Sequence, residues 1–239
     1  HAGITVGEDG ATHQCLEDMA LMRAIPGMVV ISPSDSWQTK AALRFACEYQ
    51  GPVYIRLGRL AVPVIYDENY VFTPGCYNKI ADGTDITLMY TGPFYEAALK
   101  AKEILAQKGI SLKILDVPSI KPFADEAVAE AVKDTKAIIT IEDHNTIAGF
   151  GSAVCESLCN IGASCKVVRM GACDTFGKSG TPLELMAKYG MDGESIAAKA
   201  EELGIRDGCE FGPVLIMNGV VNQEAYNANS GYNPRTAIG

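Results

Sequence analysis

His1-Ala-Gly-Ile-Thr-Val-Gly-Glu-Asp-Gly-Ala-Thr-His13-Gln14 is the stretch on which the reading of this chain turns. Ile4-Thr-Val6 has the composition of a short strand. Gly7 and Gly10 allow turn conformations that other residues resist. Thr12 or His13 stands where a helix should open. Two of the chain's three histidines fall here, beside Glu8 and Asp9. A strand giving way to a helix in a parallel sheet would put these groups at the carboxyl edge, where open α/β sheets bind ligands.

The pattern continues outward. Leu16, Met19, Ala20 and Arg23-Ala24 recur at helical spacing until Pro26-Gly27. Met28-Val-Val-Ile31 is an unbroken apolar run, as expected of a strand buried on both faces. Ser34 or Asp35 then caps a helix over 36–49. Val53-Tyr-Ile-Arg-Leu57 is the next strand and leads into Gly58-Arg59. This alternation predicts a parallel sheet covered by helices.

Pro63, Pro74-Gly75 and Asp82-Gly83 punctuate an irregular crossing segment. A second α/β unit follows, with strands at 85–90, 111–117, 137–142 and 166–169. Its helices lie at 94–107, at 124–133, from Gly151 to about 161, after the capping box Thr181-Pro-Leu-Glu184, and after Asp192. The expected organisation is a first unit 1–62, a linker 63–83, a second unit 84–206, and an extension 207–239. In the extension Val214–Met217 has strand composition, and Asn222–Gly239, rich in Asn, Gly and Ser, is expected to be loosely ordered.

Bulk properties narrow the partners. The chain has 239 residues, 48% apolar and 21% charged, with a net charge of −9. That argues against nucleic acid and anionic membrane, which select basic surfaces. It still allows a small anion held by a few local cations. No apolar run approaches the ~18 residues of a membrane span. The eight cysteines show no metal-ligand spacing and read as free thiols in a reducing cytoplasm. The chain opens on His1 without a methionine, as expected of a piece of a larger protein.

Several residues are candidates for chemistry. His13 suits proton transfer or hydrogen bonding to substrate hydroxyls. Its plainer reading is a helix cap beside a solvated Gly-Glu-Asp-Gly turn. Arg59 can hold a phosphate or carboxylate bidentately, or it can make a surface ion pair. Arg56, inside the strand, reads as structural. Glu142-Asp143-His144 can serve catalysis or an interface, and Gly149-Phe-Gly151 is a weak phosphate-cradle signal. Phe176-Gly-Lys-Ser-Gly180 lacks the first glycine of a nucleotide-binding loop, because Ala172 stands at that position.

HAGITVGEDGATHQ, followed by LMRAIPGM and PSD, closely resembles the transketolase family. That family carries H-D-S-I-G-x-G-E-D-G-P-T-H-Q, then LRAIPN and P-A-D. The resemblance runs over about residues 1–205 and extends to the EDH…GxGSAV and DTFGKSG runs. It implies the end of a pyrimidine-binding-type parallel-sheet domain, followed by a C-terminal-type α/β domain. It implies ketol transfer between sugar phosphates, dependent on thiamine diphosphate and Mg²⁺. His1, Asp9, His13 and Arg59 would be the substrate-binding residues, with His13 also catalytic. Ala2 and Ala11 replace the family's Asp and Pro. The family's cofactor-activating glutamate, aromatic pocket and GDG…N metal motif precede the matched region, so no cofactor or metal ligand is expected in this chain. The resemblance implies sugar-phosphate substrates, an N-terminal transketolase portion or subunit as partner, a homo-oligomer, and no activity for this chain alone. Part of a deoxyxylulose-phosphate synthase or other thiamine diphosphate enzyme, or a non-catalytic assembly module, remain the alternatives.

Overall fold

The structure, a computed structural model, describes residues 1–203, Ile216–Met217 and Val220–Val221. Residues His1–Ile205 form one compact unit and Arg206–Gly239 another.

In the first unit a 3₁₀ segment (Ile4–Asp9) precedes α1 (Asp18–Ala24), β1 (Val29–Ile31), α2 (Ser36–Glu48) and β2 (Val53–Ile55). Then come β3 (Asn78–Ala81), β4 (Ile86–Tyr90), α3 (Tyr95–Gln107), β5 (Leu112–Asp116) and β6 (Ser119–Lys121). The unit closes with α4 (Asp125–Val132), β7 (Ala137–Asn145), α5 (Phe150–Asn160), β8 (Lys166–Ala172), α6 (Pro182–Lys188) and α7 (Gly193–Glu202). Local chemistry explains several starts. Asp35 caps α2 by accepting from Gln38 N–H at 2.7 Å, and the Thr181–Glu184 capping box opens α6.

The strands make a three-stranded sheet, β2-β1-β6, and a five-stranded sheet, β3-β5-β4-β7-β8. In the larger sheet β5, β4, β7 and β8 are parallel, and β3 runs antiparallel at the edge. The fold is α/β, as the alternation of apolar runs predicts. Two strands were not foreseen. β3 falls within the expected linker and joins the larger sheet. β6 comes from the expected second unit, yet pairs antiparallel with β1. The two sheets therefore share a chain segment.

The larger sheet is covered on both faces, which accounts for its continuous apolar strands. Ile86, Leu88, Ile139 and Ile141 pack with Ala98 and Leu105 of α3 and Ile196 of α7. Met89, Leu115 and Ile138 pack with Val128 of α4 and Phe150 and Val154 of α5. Met19 of α1 and Val30 of β1 join this second cluster, so one core runs beneath both sheets.

The order of the larger sheet reverses beside β4. β5 lies on one side of it, β7 and β8 on the other. The crevice at such a point, outside the carboxyl ends of the strands, is the usual ligand site of an open α/β sheet. Here the chain's own opening segment reaches the carboxyl end of β7. The Asp143 carboxylate accepts from Ile4 N–H at 2.6 Å, Thr5 N–H at 3.2 Å and the Thr5 hydroxyl at 2.5 Å. Arg56 of the first sheet's edge donates to the Asp143 carbonyl at 2.6 Å and pairs with Asp18 at 2.9 Å. All of these groups are buried.

In the second unit, β9 (Ile216–Met217) pairs antiparallel with β10 (Val220–Val221). The strand expected over Val214–Met217 is seen in its last two residues. The rest of the expected extension, Cys209 included, lies outside the described residues.

Asp143→Ala strands three buried donors, and each such loss costs roughly 1–3 kcal/mol. Its thermal midpoint should fall by at least about 6 °C, at ~2–4 °C per kcal/mol for a domain this size. Asp143→Asn, which keeps one acceptor oxygen, should recover part of the loss. Parent-like melting of Asp143→Ala in a calorimetric scan would contradict this role.

Candidate functional site

The opening loop is not a strand leading into a helix. Ile4–Asp9 is 3₁₀, with Gly7 at φ 82° inside it, and α1 begins only at Asp18. The reason is the Asp143 carboxylate, which takes the Ile4 and Thr5 N–H groups that a ladder would need. Gly3, at φ 95°, makes the approach possible, since a Cβ there would lie 2.1 Å from the Asp143 carboxylate.

Gln14 fixes the far end of the loop. Its buried carboxamide donates to the carbonyls of Ile4 at 3.3 Å, Gly7 at 2.9 Å and Lys178 at 2.9 Å. It ties the 3₁₀ segment to the Phe176–Gly180 turn between β8 and α6. That turn therefore seats the opening loop and resembles no nucleotide cradle.

With Ile4–Gly7 buried, the polar end of the loop faces outward. Asp9 and Arg59 form an ion pair, with their side chains 42% and 47% exposed. An exposed pair contributes little to stability, so either partner can exchange the other for a ligand at small cost. Ala2 N–H donates to Leu57 O at 3.3 Å, which seats His1 beside the Leu57–Arg59 segment. His13 is exposed, and its Nδ1 lies 2.9 Å from the Thr12 hydroxyl. His13 also lines a cavity of about 420 Å³ between residues 11–17 and 174–177, with Asn145 at its wall. Arg59 thus makes the surface ion pair that its isolated position allows, and it makes it with Asp9, another candidate residue.

The second acid-histidine run is structural in its contacts. Glu142 accepts from Phe150 N–H at 2.6 Å and Gly151 N–H at 2.8 Å. Its carboxylate fills the first turn of α5, where a phosphate would otherwise sit. Gly149 leaves room for it, because a Cβ there would lie 2.0 Å from Glu142 Oε2. Burial pushes the Glu142 carboxyl up to about 7, against the pull of those two N–H groups. His144 Nδ1 lies 2.6 Å from the Asn145 carbonyl, and burial together with nearby Arg56 holds its pKa down.

Sequence reasoning missed Gln14 and Asp143 as the residues that shape the loop. Asp143 carries a weak signal, an acid between Glu and His at a strand end. Gln14 carries none, since its role depends on three carbonyls brought together by the fold.

Among the described residues, no group of three or more His, Cys, Asp or Glu is arranged to hold a metal ion. Two of the buried acids are committed to the protein itself, Asp143 to backbone N–H groups and Glu142 to α5. Neither carboxylate is free to hold a metal-bound diphosphate. No helix among the described residues is long and apolar enough to cross a membrane.

Residues 1–64 match the transketolase pyrimidine-binding domain, and residues 75–196 match the transketolase C-terminal domain. A Methanocaldococcus jannaschii protein, provisionally named a transketolase C-terminal section, is 47% identical over 84% of this chain and 64% of its own length. One of the subunits of the apulose-4-phosphate transketolase of Phocaeicola vulgatus is 37% identical over 84% of this chain and 64% of its own. A solved split-gene transketolase, described as an inactive β4 tetramer, superposes with TM-score 0.78 at 39% identity, covering 86% of this chain and 65% of that one. The chain thus spans less than two-thirds of each of these proteins.

Glu142 sets a pH dependence. A carboxyl whose folded pKa stands above its ordinary 4.5 stabilises the fold below that value, and the contribution is lost as pH rises through about 7. Glu142→Gln stays neutral throughout. From about pH 5 to about pH 8 the parent should therefore lose stability relative to Glu142→Gln. His144 titrates with the opposite sign but is common to both proteins. Parallel midpoint-against-pH curves in denaturant titrations would contradict a raised Glu142.

Proposed function

The chain belongs to the transketolase family, and on that premise we propose that it supplies the substrate-holding edge of a ketol transferase. The family depends on thiamine diphosphate. In ketol transfer a two-carbon unit leaves a ketose by breakage of its C2–C3 bond and joins the aldehyde carbon of an acceptor. The cofactor brings the carbanion chemistry. In this reading the cofactor's main ligands come from the partner portion, and the residues named below work on the substrate. The diphosphate and Mg²⁺ are held by an N-terminal portion or subunit, which assembles with this chain into an oligomer.

The observation that carries this reading is the exposed Asp9–Arg59 pair at the polar end of a loop whose other end is buried against Asp143. A fixed backbone with an exchangeable ion pair is what recognition of an anionic sugar needs. Arg59 takes the phosphate bidentately. Displacement of the Asp9 carboxylate from Arg59 leaves Asp9 to accept from a substrate hydroxyl. His1, seated beside Arg59, contacts the sugar-phosphate end, while His13 donates to, or accepts from, substrate hydroxyls and carries proton transfer there. The relative from Phocaeicola vulgatus is named for a sugar phosphate, and the charge logic of Arg59 is the same for any terminal phosphate.

The test is reconstitution with the N-terminal portion, thiamine diphosphate and Mg²⁺. The assembly should transfer a ketol unit between sugar phosphates, and this chain alone should not. Arg59→Ala should raise KM for a phosphorylated acceptor roughly 10- to 100-fold, the scale of a lost charge-assisted bond, with far less effect on an unphosphorylated acceptor. His13→Ala should lower kcat/KM by about 100-fold, the lower range for a lost proton-transfer group. Full activity of His13→Ala in the assembly would point instead to a chain that serves packing alone.

A further inference from the structure

The cavity beside His13 has a chemistry different from that of Arg59. It is walled by two segments far apart in sequence, one from the opening loop and one from the turn after β8. Its polar lining includes Thr12, His13, Glu17, Asn145, Asp174 and Thr175, with no Lys or Arg. Of His1, Asp9, His13 and Arg59, His13 alone lines it. Its volume of about 420 Å³ falls within the range of small-molecule sites.

We propose that this cavity is a second subsite, which receives the hydroxylated carbon chain of a longer aldose acceptor. The inference rests on the function proposed above and adds residues of the region matching the transketolase C-terminal domain to substrate selection. Two carboxylates and no cation repel a phosphate, whereas they accept hydrogen bonds from sugar hydroxyls. The carboxylate of Asp174 has no hydrogen-bond or ion-pair partner among the described residues. Its backbone stands at φ 47°, a conformation uncommon for a residue with a side chain. Asn145 accepts from Ile147 N–H through Oδ1 at 3.0 Å, a bond in which its amide nitrogen takes no part. The Phe176 ring is 87% exposed and presents an apolar face to the C–H side of a sugar. Carboxylate, amide, hydroxyl and ring together suit a polyol and disfavour a bare anion.

The subsite predicts discrimination by chain length. Asp174→Asn keeps a residue that tolerates the left-handed backbone, so the turn is preserved while a charged acceptor is lost. Thr175→Val removes a hydroxyl at nearly constant volume. Both are assayed in the reconstituted assembly with a two-carbon acceptor, glycolaldehyde, and a five-carbon one, ribose 5-phosphate. The preference of kcat/KM for the five-carbon over the two-carbon acceptor should fall about tenfold in Asp174→Asn, the scale of one hydrogen bond to a charged group. In Thr175→Val it should fall less. An unchanged ratio in both variants, whether through no effect or an equal effect on both acceptors, would overturn the subsite. If the parent assembly transfers no ketol unit, the functional reading above fails. Calorimetric binding of ribitol 5-phosphate to that assembly then decides the subsite alone. Tenfold weaker binding by Asp174→Asn supports it, and equal binding overturns it.

Discussion

One buried carboxylate sets the geometry on which the rest depends. Asp143, at the carboxyl end of β7, accepts from Ile4, Thr5 and the Thr5 hydroxyl. Its own carbonyl is taken by Arg56, which is neutralised by Asp18. Buried polar groups are costly unless fully partnered, so this set of donors and acceptors tolerates few arrangements. The result is a loop whose apolar residues are inside and whose polar residues are outside. The crevice that an α/β sheet ordinarily offers to a ligand is used here to hold another part of the same chain.

The same economy appears at the neighbouring groups. Glu142 occupies the first turn of α5 with its carboxylate, and Gln14 gathers three carbonyls from two segments. Glu142 is not placed to meet a substrate, Gln14 adjoins the cavity beside His13, and both restrict the residues around them. The exposed groups differ in kind. Asp9 and Arg59 hold each other at the surface, where the interaction is weak enough to exchange. A chain of net charge −9 can therefore present one local cation to an anionic sugar without a basic surface.

Much of the fold was legible in the sequence because the relevant signals are local. Apolar runs such as Met28–Ile31 and Ala137–Ile139 mark strands covered on both faces, and Asp35 and Thr181 mark helix starts through their caps. The misreadings are non-local in origin. Ile4-Thr-Val6 has strand composition but forms 3₁₀ turns, because its N–H groups meet Asp143, 138 and 139 residues away. β6 is too short and too polar at Lys121 to be seen as a strand, and only its pairing with β1 creates it. At the site, residue types pointed to His1, Asp9, His13 and Arg59, and the fold pairs Asp9 with Arg59. The cavity wall at Asp174–Gly177 was not legible, since it exists only where two distant loops converge.

Amide hydrogen exchange at Ile4 and Thr5 reads the hold of Asp143 on the opening loop. Both N–H groups lie in a glycine-rich loop that has no sheet partner, and the Asp143 carboxylate is their hydrogen-bond acceptor. They should exchange as slowly as the amides of β7, while the amides of Ala11 and Thr12 in the same loop exchange quickly. Exchange of Ile4 and Thr5 at the rate of Ala11 and Thr12 would mean that the loop is not held by Asp143, and the account of the site built upon it would fail.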